Sequence, residues 1–422
     1  MNVGSRSTVT FLPLRATPLG RLVTANALSS VGDGARLAAL PLLAAVVTHD
    51  VFWVSVVAAA SRAAWLLAPL IGTLVDRTPP HRSLVGADLA RCAVLAVLCA
   101  GVATGRVPVA WLVPAAFLCG LAEVFFDSAA QAVVPRLAAD QELERTNARI
   151  IAAQIIGTGF LGPPLGVALW SVGRPWPFAV DAVTFLLSAL LLRGLAAHAS
   201  AGRMEGGARA ESGLAGLMRG TWVGLQMLAG NRVLRRLMVV VAVLGVGQQA
   251  VYAVLVVYVE GRLDLPSWGY GLMLVAAALG SLTGARAAVP TARRLGTARS
   301  LVVSVTVSAL SYLVVAVVPW WPLVALMLAV NSAAVVLWNV CTVSLRQRLA
   351  PPHMLGRVTS GYRLAAWGAT PVGAALGGVL AGHVGPGAPW AAAGLLLLAC
   401  LPLLYRMPSP ERPGGPGTEG AT

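Results

Sequence analysis

Ionisable residues interrupt long apolar runs in this chain, among them Asp33, Arg36, Arg62, Glu123, Asp127 and Asp181. A charge at the centre of a bilayer costs about 2.5–3.5 kcal/mol on insertion scales, so such groups pair with one another or face a wet cavity. Two chemistries are open to them. One is a static ion pair, such as Asp33 with Arg62. The other is reversible protonation of a carboxylate, with Asp33 the first candidate and Glu123 the second. Asp127, near the end of its run, is placed to pair with Arg77 or Arg149 and act as a gate group. Between residues 235 and 405 the only acids are Glu260 and Asp264, in a loop. That half offers Gln248, Gln249, Tyr252, Asn331, Trp338, Asn339 and, as a further intramembrane charge, Arg363. Together with Asn26 from the first run, its amides and aromatics would line a cavity suited to bulky amphipathic compounds. Alongside the acids of the first half, such a cavity would fit a cationic drug, a macrolide or a siderophore.

No metal or cofactor is expected. The five histidines, His49, His81, His198, His353 and His383, are dispersed, which also disfavours a membrane-embedded lipid-modifying enzyme. The five cysteines sit in apolar runs without ligand spacing and read as small core hydrophobes. No phosphate-cradling loop is present, so a proton gradient rather than ATP is the expected driving force.

The elements that position these residues follow from composition. Of 422 residues, 57% are hydrophobic and only 11% charged, with a mean hydropathy of +0.78. Globular chains carry about 25% charge, so this one cannot cover a water-soluble surface and is an integral membrane protein. The 31 basic residues, all Arg, leave a formal +15. They are scattered singly, not gathered on one face as nucleic-acid binding requires. Apolar runs long enough to cross a bilayer fall at 20–47, 51–75, 84–104, 109–132, 147–172, 175–196, 235–259, 269–289, 300–318, 320–345, 357–382 and 388–405. Arginines crowd one set of connections, including Arg77, Arg82, Arg203, Arg235, Arg293 and Arg348, while the other set keeps Arg106, Arg174 and Arg262. That bias places both termini in the cytoplasm. The expected organisation is a six-helix bundle over 1–196, a linker with a surface helix over 197–234, a second six-helix bundle over 235–405 and a disordered cytoplasmic tail over 406–422. In the linker, Leu214, Leu217, Met218, Trp222, Leu225 and Leu228 recur at helical spacing.

The two halves repeat. Arg136-Leu137-Ala138, Leu143 and Arg145 fall on Arg348-Leu349-Ala350, Leu355 and Arg357, and the same shift places Gly72 on Gly284, Arg82 on Arg294 and Gly166 on Gly378. Parallel six-helix repeats about an axis along the membrane normal are a transporter plan, with substrate bound between the halves.

Gly72, Leu74, Asp76 and Arg77, with Arg82 beyond, match a loop in which Gly72 would permit close helix packing and the charges would latch one face. This loop resembles the signature of the major facilitator superfamily, and the resemblance runs from about residue 18 to 405. Phe125 to Ala132, Leu143 to Asn147, Gly356-Arg357-Val358 and Pro371 to Gly378 resemble its branch of enterobactin, macrolide and other drug exporters. Gly157, Gly159, Gly162-Pro163-Pro164 and Gly166 resemble the glycine-proline motif of proton-coupled exporters, with the proline pair expected to bend the fifth run. The resemblance implies an all-α fold of twelve transmembrane helices in two pseudo-symmetric six-helix bundles. It also implies proton antiport of a small organic molecule across the cytoplasmic membrane of a bacterium by a monomer. An importer or uniporter of a metabolite is the alternative within the same fold.

Overall fold

Inside a bilayer no water is present to bond free backbone groups, so apolar runs become helices that satisfy their own N–H and C=O. In the computed structural model, which describes residues 17–48, 50–76, 78–137, 146, 149–150, 152–194, 222, 225–349 and 355–405, 92% of the structure is helix with no strand among the described residues. Helix α1 is Pro18–Thr48. The second, α2, spans 51–76 as Val51–Ala63, a 3-10 turn Ala64–Leu67 and Ala68–Asp76. Then come α3 (Pro80–Ala103), α4 (Val109–Leu137), α5 (Ala152–Val172) and α6 (Trp176–Arg193). The later half holds α7 (Arg232–Gly261), α8 (Ser267–Leu295), α9 (Thr297–Val317) and α10 (Trp321–Leu349). It ends with α11, built from Leu355–Gly368 and Thr370–His383, and α12 (Ala388–Tyr405). Eleven of these, α11 through its stretch Leu364–His383, are long and apolar enough to cross a membrane; in α2 the apolar helix Val51–Leu67 falls short of that length.

The breaks have a common cause. Proline lacks the N–H and its ring crowds the carbonyl four residues back. Pro69 therefore tightens Ala64–Leu67, and the freed Trp65 carbonyl accepts instead from the Ala68 N–H. Pro371 interrupts α11 after Gly368, and the freed Trp367 carbonyl accepts from the Thr370 hydroxyl at 2.6 Å. In α5 the consequence of Pro163 is a π-helical segment, Ile155–Leu161, one turn before the expected bend; the prolines themselves open the regular helix Gly162–Val172.

The halves share one plan. Neighbours in the first half are α1 with α5 and α6, α2 with α4, and α3 with α4 and α6; in the second they are α7 with α11 and α12, α8 with α10, and α9 with α10 and α12. Small residues make the closest approaches in both. A Cβ on Gly166 would strike the Ala35 backbone, and one on Gly377 that of Ala250. Between halves the large contacts are α2 against α11 and, in mirrored roles, α5 against α8.

The exposed indoles Trp53, Trp111, Trp176, Trp268, Trp320 and Trp321 all sit at helix starts on one face of the bundle, as an interfacial aromatic belt does. The exposed aliphatics between them, such as Leu187, Leu326 and Leu395, are the lipid-facing surface. Asn231 caps α7, its side chain accepting from Val233 N at 2.9 Å and Leu234 N at 3.2 Å. Of the linker, residues 225–230 are helical with Leu228 buried. The rest of its expected surface helix, and the tail over 406–422, lie outside the described residues.

Candidate functional site

Two clusters concentrate the polar groups that the bilayer penalises. The first is inside the first half. Asp33 accepts from Arg36 Nη2 at 2.6 Å and faces Arg91 Nη1 at 3.5 Å. Arg36 donates through Nε to Asp181 at 3.0 Å, and Arg91 donates through Nη2 to Asp88 at 2.5 Å. Ser188 donates to the second Asp88 oxygen at 2.6 Å. Arg91 also lies over the rings of Phe126 and Phe185, at 4.9 and 4.0 Å. Four helices, α1, α3, α4 and α6, thus converge on a chain of charges that is almost wholly buried.

The expected Asp33–Arg62 pair does not form. Arg36 occupies Asp33 from its own helix, one turn on, while the guanidinium of Arg62 turns to the Trp367 ring, 5.9 Å from its centroid. Glu123 on α4 makes neither hydrogen bond nor ion pair among the described residues, yet lies within electrostatic range of Asp33, Arg62, Arg36 and Arg91. Asp88 and Arg91 were not singled out from the sequence, although they repeat the Asp33–Arg36 spacing inside a third apolar run; that repetition was the available signal. Asp127 is half-buried and engaged in an interaction, so it stands apart from neither chemistry.

The second cluster lines a cavity of about 470 Å³ between the halves. From the second half come Gln248 and Gln249 on α7 and Trp338, Asn339 and Arg346 on α10, with Tyr362 and Trp367 on α11; the first half contributes Arg62. Helix α11 is the centrepiece. Its Tyr362 ring carries the Arg346 guanidinium at 3.7 Å, and its Trp367 ring carries that of Arg62 and stacks on Trp65 at 5.4 Å. Both indoles of that stack sit four residues before a helix-breaking proline.

The sequence expectation mixed acids with amides in one chamber. The structure separates them: the carboxylates belong to the first cluster, and no acid lines the cavity among the described residues. Of the expected cavity residues, Gln248, Gln249, Trp338 and Asn339 line it. Asn26 is buried on α1, Tyr252 lies close to Ser332, and Asn331 accepts from the Tyr312 hydroxyl at 3.4 Å. The side chain of Arg363, that of Asp76, and Arg77 lie outside the described residues; Arg82 is exposed. Open space surrounds the Cβ position of Gly72, so close packing is not its role here. Gly157 and Gly162 do pack backbone to backbone, against Ser30–Val31 and Gly34 of α1, and Gly166 joins them.

Beyond the cavity, on the face of the aromatic belt, the halves touch. A Cβ on Gly378 would strike Ser55, and one on Gly271 would come within 2.9 Å of Val167. On the opposite face the cavity is flanked by the ends of α2, α10 and α11 that lead into the arginine-rich connections.

The comparisons agree with this geometry. The profile of the major facilitator superfamily matches residues 22–365 and 269–422. A bacterial homologue of the iron transporter ferroportin in an inward-facing state superposes with TM-score 0.74 at 16% identity, over 92% of this chain and 98% of that one. A variant of the nucleoside transporter NupG gives 0.72 at 12%, over 93% and 98%. A POT family transporter in complex with a thioalcohol-conjugated peptide gives 0.70 at 13%, over 92% and 95%. No curated protein sequence matches the chain. A duplicated six-helix plan, a chamber between the copies and a profile covering both place this multi-pass membrane protein in the major facilitator superfamily.

Proposed function

We propose that this chain is a secondary active exporter of small organic molecules, of the drug, macrolide or siderophore kind, working by alternating access with proton antiport. The carrying observation is the chamber between two pseudo-symmetric halves, which meet on the face of the aromatic belt. The bodies 1–196 and 235–405 would rock about it, with 197–234 as tether. The arginine bias favours a cytoplasmic position for the arginine-flanked end of the chamber, and an exporter loads its cargo from there.

Charge balance supports the proton. Asp33, Asp88, Asp181 and Glu123 lie in or beside the first cluster, against the two buried arginines Arg36 and Arg91. Uncompensated buried carboxylates are costly, and binding a proton removes the excess. Glu123, without an ion-pair partner among the described residues, is the preferred carrier, and Asp33, the shared ligand of two arginines, is the group that feels its charge. A proton moving down a membrane potential supplies roughly 2.3 kcal/mol per 100 mV, enough to bias two conformations. The exporter-type glycines Gly157, Gly162 and Gly166 pack on Ser30, Val31, Gly34 and Ala35 of α1, the helix that also carries Asp33.

In everted vesicles given a pH gradient, export appears as uptake of drugs from a susceptibility panel. Glu123→Gln and Asp33→Asn are expected to abolish gradient-driven uptake while leaving membrane insertion intact. Wild-type rates in both variants would remove protons from the mechanism, and uptake only by right-side-out vesicles would make the protein an importer.

A further inference from the structure

The inter-half cavity is built for a negatively charged cargo. Its only charged walls among the described residues are Arg62 and Arg346, and its other polar walls include Gln248, Gln249, Asn339, Gln347 and Thr370. Two guanidinium groups carry donors and no acceptors, and each presents a fork that matches a carboxylate or phosphate. Arg346 commits Nε to the Thr342 carbonyl at 3.2 Å. Arg62 rests on Trp367 and makes no ion pair among the described residues. In the wall itself, the indole N–H of buried Trp338 and the hydroxyl of buried Tyr362 lie near each other and near Thr342, yet neither completes a hydrogen bond of good geometry among the described residues. This part of the chamber is therefore rich in donors and short of acceptors, which is the reverse of what a cation needs.

Flat apolar surface accompanies the charge. Trp367 presents an exposed ring (42%) at the cavity, and the volume of about 470 Å³ suits a ligand of drug size. From this we propose that the cargo is an organic anion, a carboxylate or phosphate ester on a planar aromatic body, with its acid held between Arg62 and Arg346 and its rings laid along α11. The inference deepens the transporter reading and rests on the cavity being its cargo chamber; it replaces the cationic drug that the sequence suggested. Arg62 gives it a further consequence. That residue lines the cavity and also lies in electrostatic range of Glu123. An anion at Arg62 and the side chain of Glu123 bear on one guanidinium, so the cargo and the charge state of Glu123 communicate through that side chain.

Fluorescein and rhodamine 123 share a xanthene skeleton and carry opposite charge, which makes them suitable probes. Binding is read by fluorescence polarisation on the full-length protein in phosphatidylcholine nanodiscs, with empty discs subtracted. Fluorescein is expected to bind at least about tenfold tighter than rhodamine 123, and Arg62→Gln or Arg346→Gln to weaken it by about tenfold or more, as loss of a charged hydrogen bond does. Since either variant could fold poorly, Arg62→Glu is added: it should turn the preference toward rhodamine 123, a gain that misfolding cannot produce. Equal binding of both dyes, tighter binding of rhodamine 123, absence of binding by both, or fluorescein binding indifferent to all three substitutions would each overturn the anion assignment. The transporter reading is judged separately, by whether a disulfide locking the closed face arrests gradient-driven transport of any cargo.

Discussion

Arg36→Gln should destabilise the protein through one residue, Asp181. Arg36 bridges Asp33 at 2.6 Å and Asp181 at 3.0 Å. When it is removed, Asp33 keeps Arg91 at 3.5 Å. Asp181, fully buried, keeps only the Thr184 hydroxyl as a hydrogen-bond partner among the described residues, 3.4 Å from its Oδ1. At 3.0 Å and an effective dielectric of roughly 20, the lost attraction is about 5 kcal/mol before desolvation is counted. Stripping one partner from a buried pair costs about 3–5 kcal/mol in measured cases, because the other charge stays behind unpaired. Asp181→Asn alone should cost less, since Arg36 retains Asp33. In the double variant the stranded charge is gone, so most of the Arg36→Gln penalty returns and the coupling should approach 3 kcal/mol, the upper end for contacting residues. Reversible unfolding in mixed detergent micelles, followed by tryptophan fluorescence, gives all four corners of the cycle. Additive penalties, with coupling below about 0.5 kcal/mol, would refute the idea that Arg36 is held chiefly by neutralising Asp181.

Other outcomes follow from the packing. Gly166→Val, which drives a side chain into the Ala35 backbone, should cost about 1–3 kcal/mol or more and reduce the folded fraction on size exclusion, whereas Gly86→Ala, with open space around it, should be neutral or slightly stabilising. With the five native cysteines replaced, Val167→Cys and Gly271→Cys should crosslink, because a Cβ at 271 would lie 3.2 Å from that of Val167. Transport should then stop and resume on reduction; turnover by fully crosslinked protein would show that the α5–α8 contact does not open during the cycle. Pro371→Ala returns an N–H to α11 and should straighten it, moving Trp367 off Trp65 and Arg62 and lowering fluorescein affinity. Unaltered affinity would mean the break at Gly368 does not shape the chamber.

Composition alone fixed the solvent. A chain with 57% hydrophobic and 11% charged residues has no stable exposure to water, and the bilayer admits only self-bonded helices, so the helix number, the repeat and the family motifs were all legible in one dimension. The glycines at 157, 162 and 166 announced close packing because nothing else explains their density in an apolar run, and α1 is where they pack. Partnership was not legible. Which acid meets which arginine depends on helix rotation and on which helices adjoin, and those are set by side-chain packing across residues far apart in sequence. Asp33 was matched to Arg62 on the strength of neighbouring runs, but α1 turns it toward Arg36 and α3 toward Arg91, leaving Arg62 to the other half. The separation of acids from the chamber has the same origin. The first bundle closes around its own charges while the chamber is made where the two bundles face each other, so its arginine-and-aromatic chemistry exists only once α2, α10 and α11 are brought together.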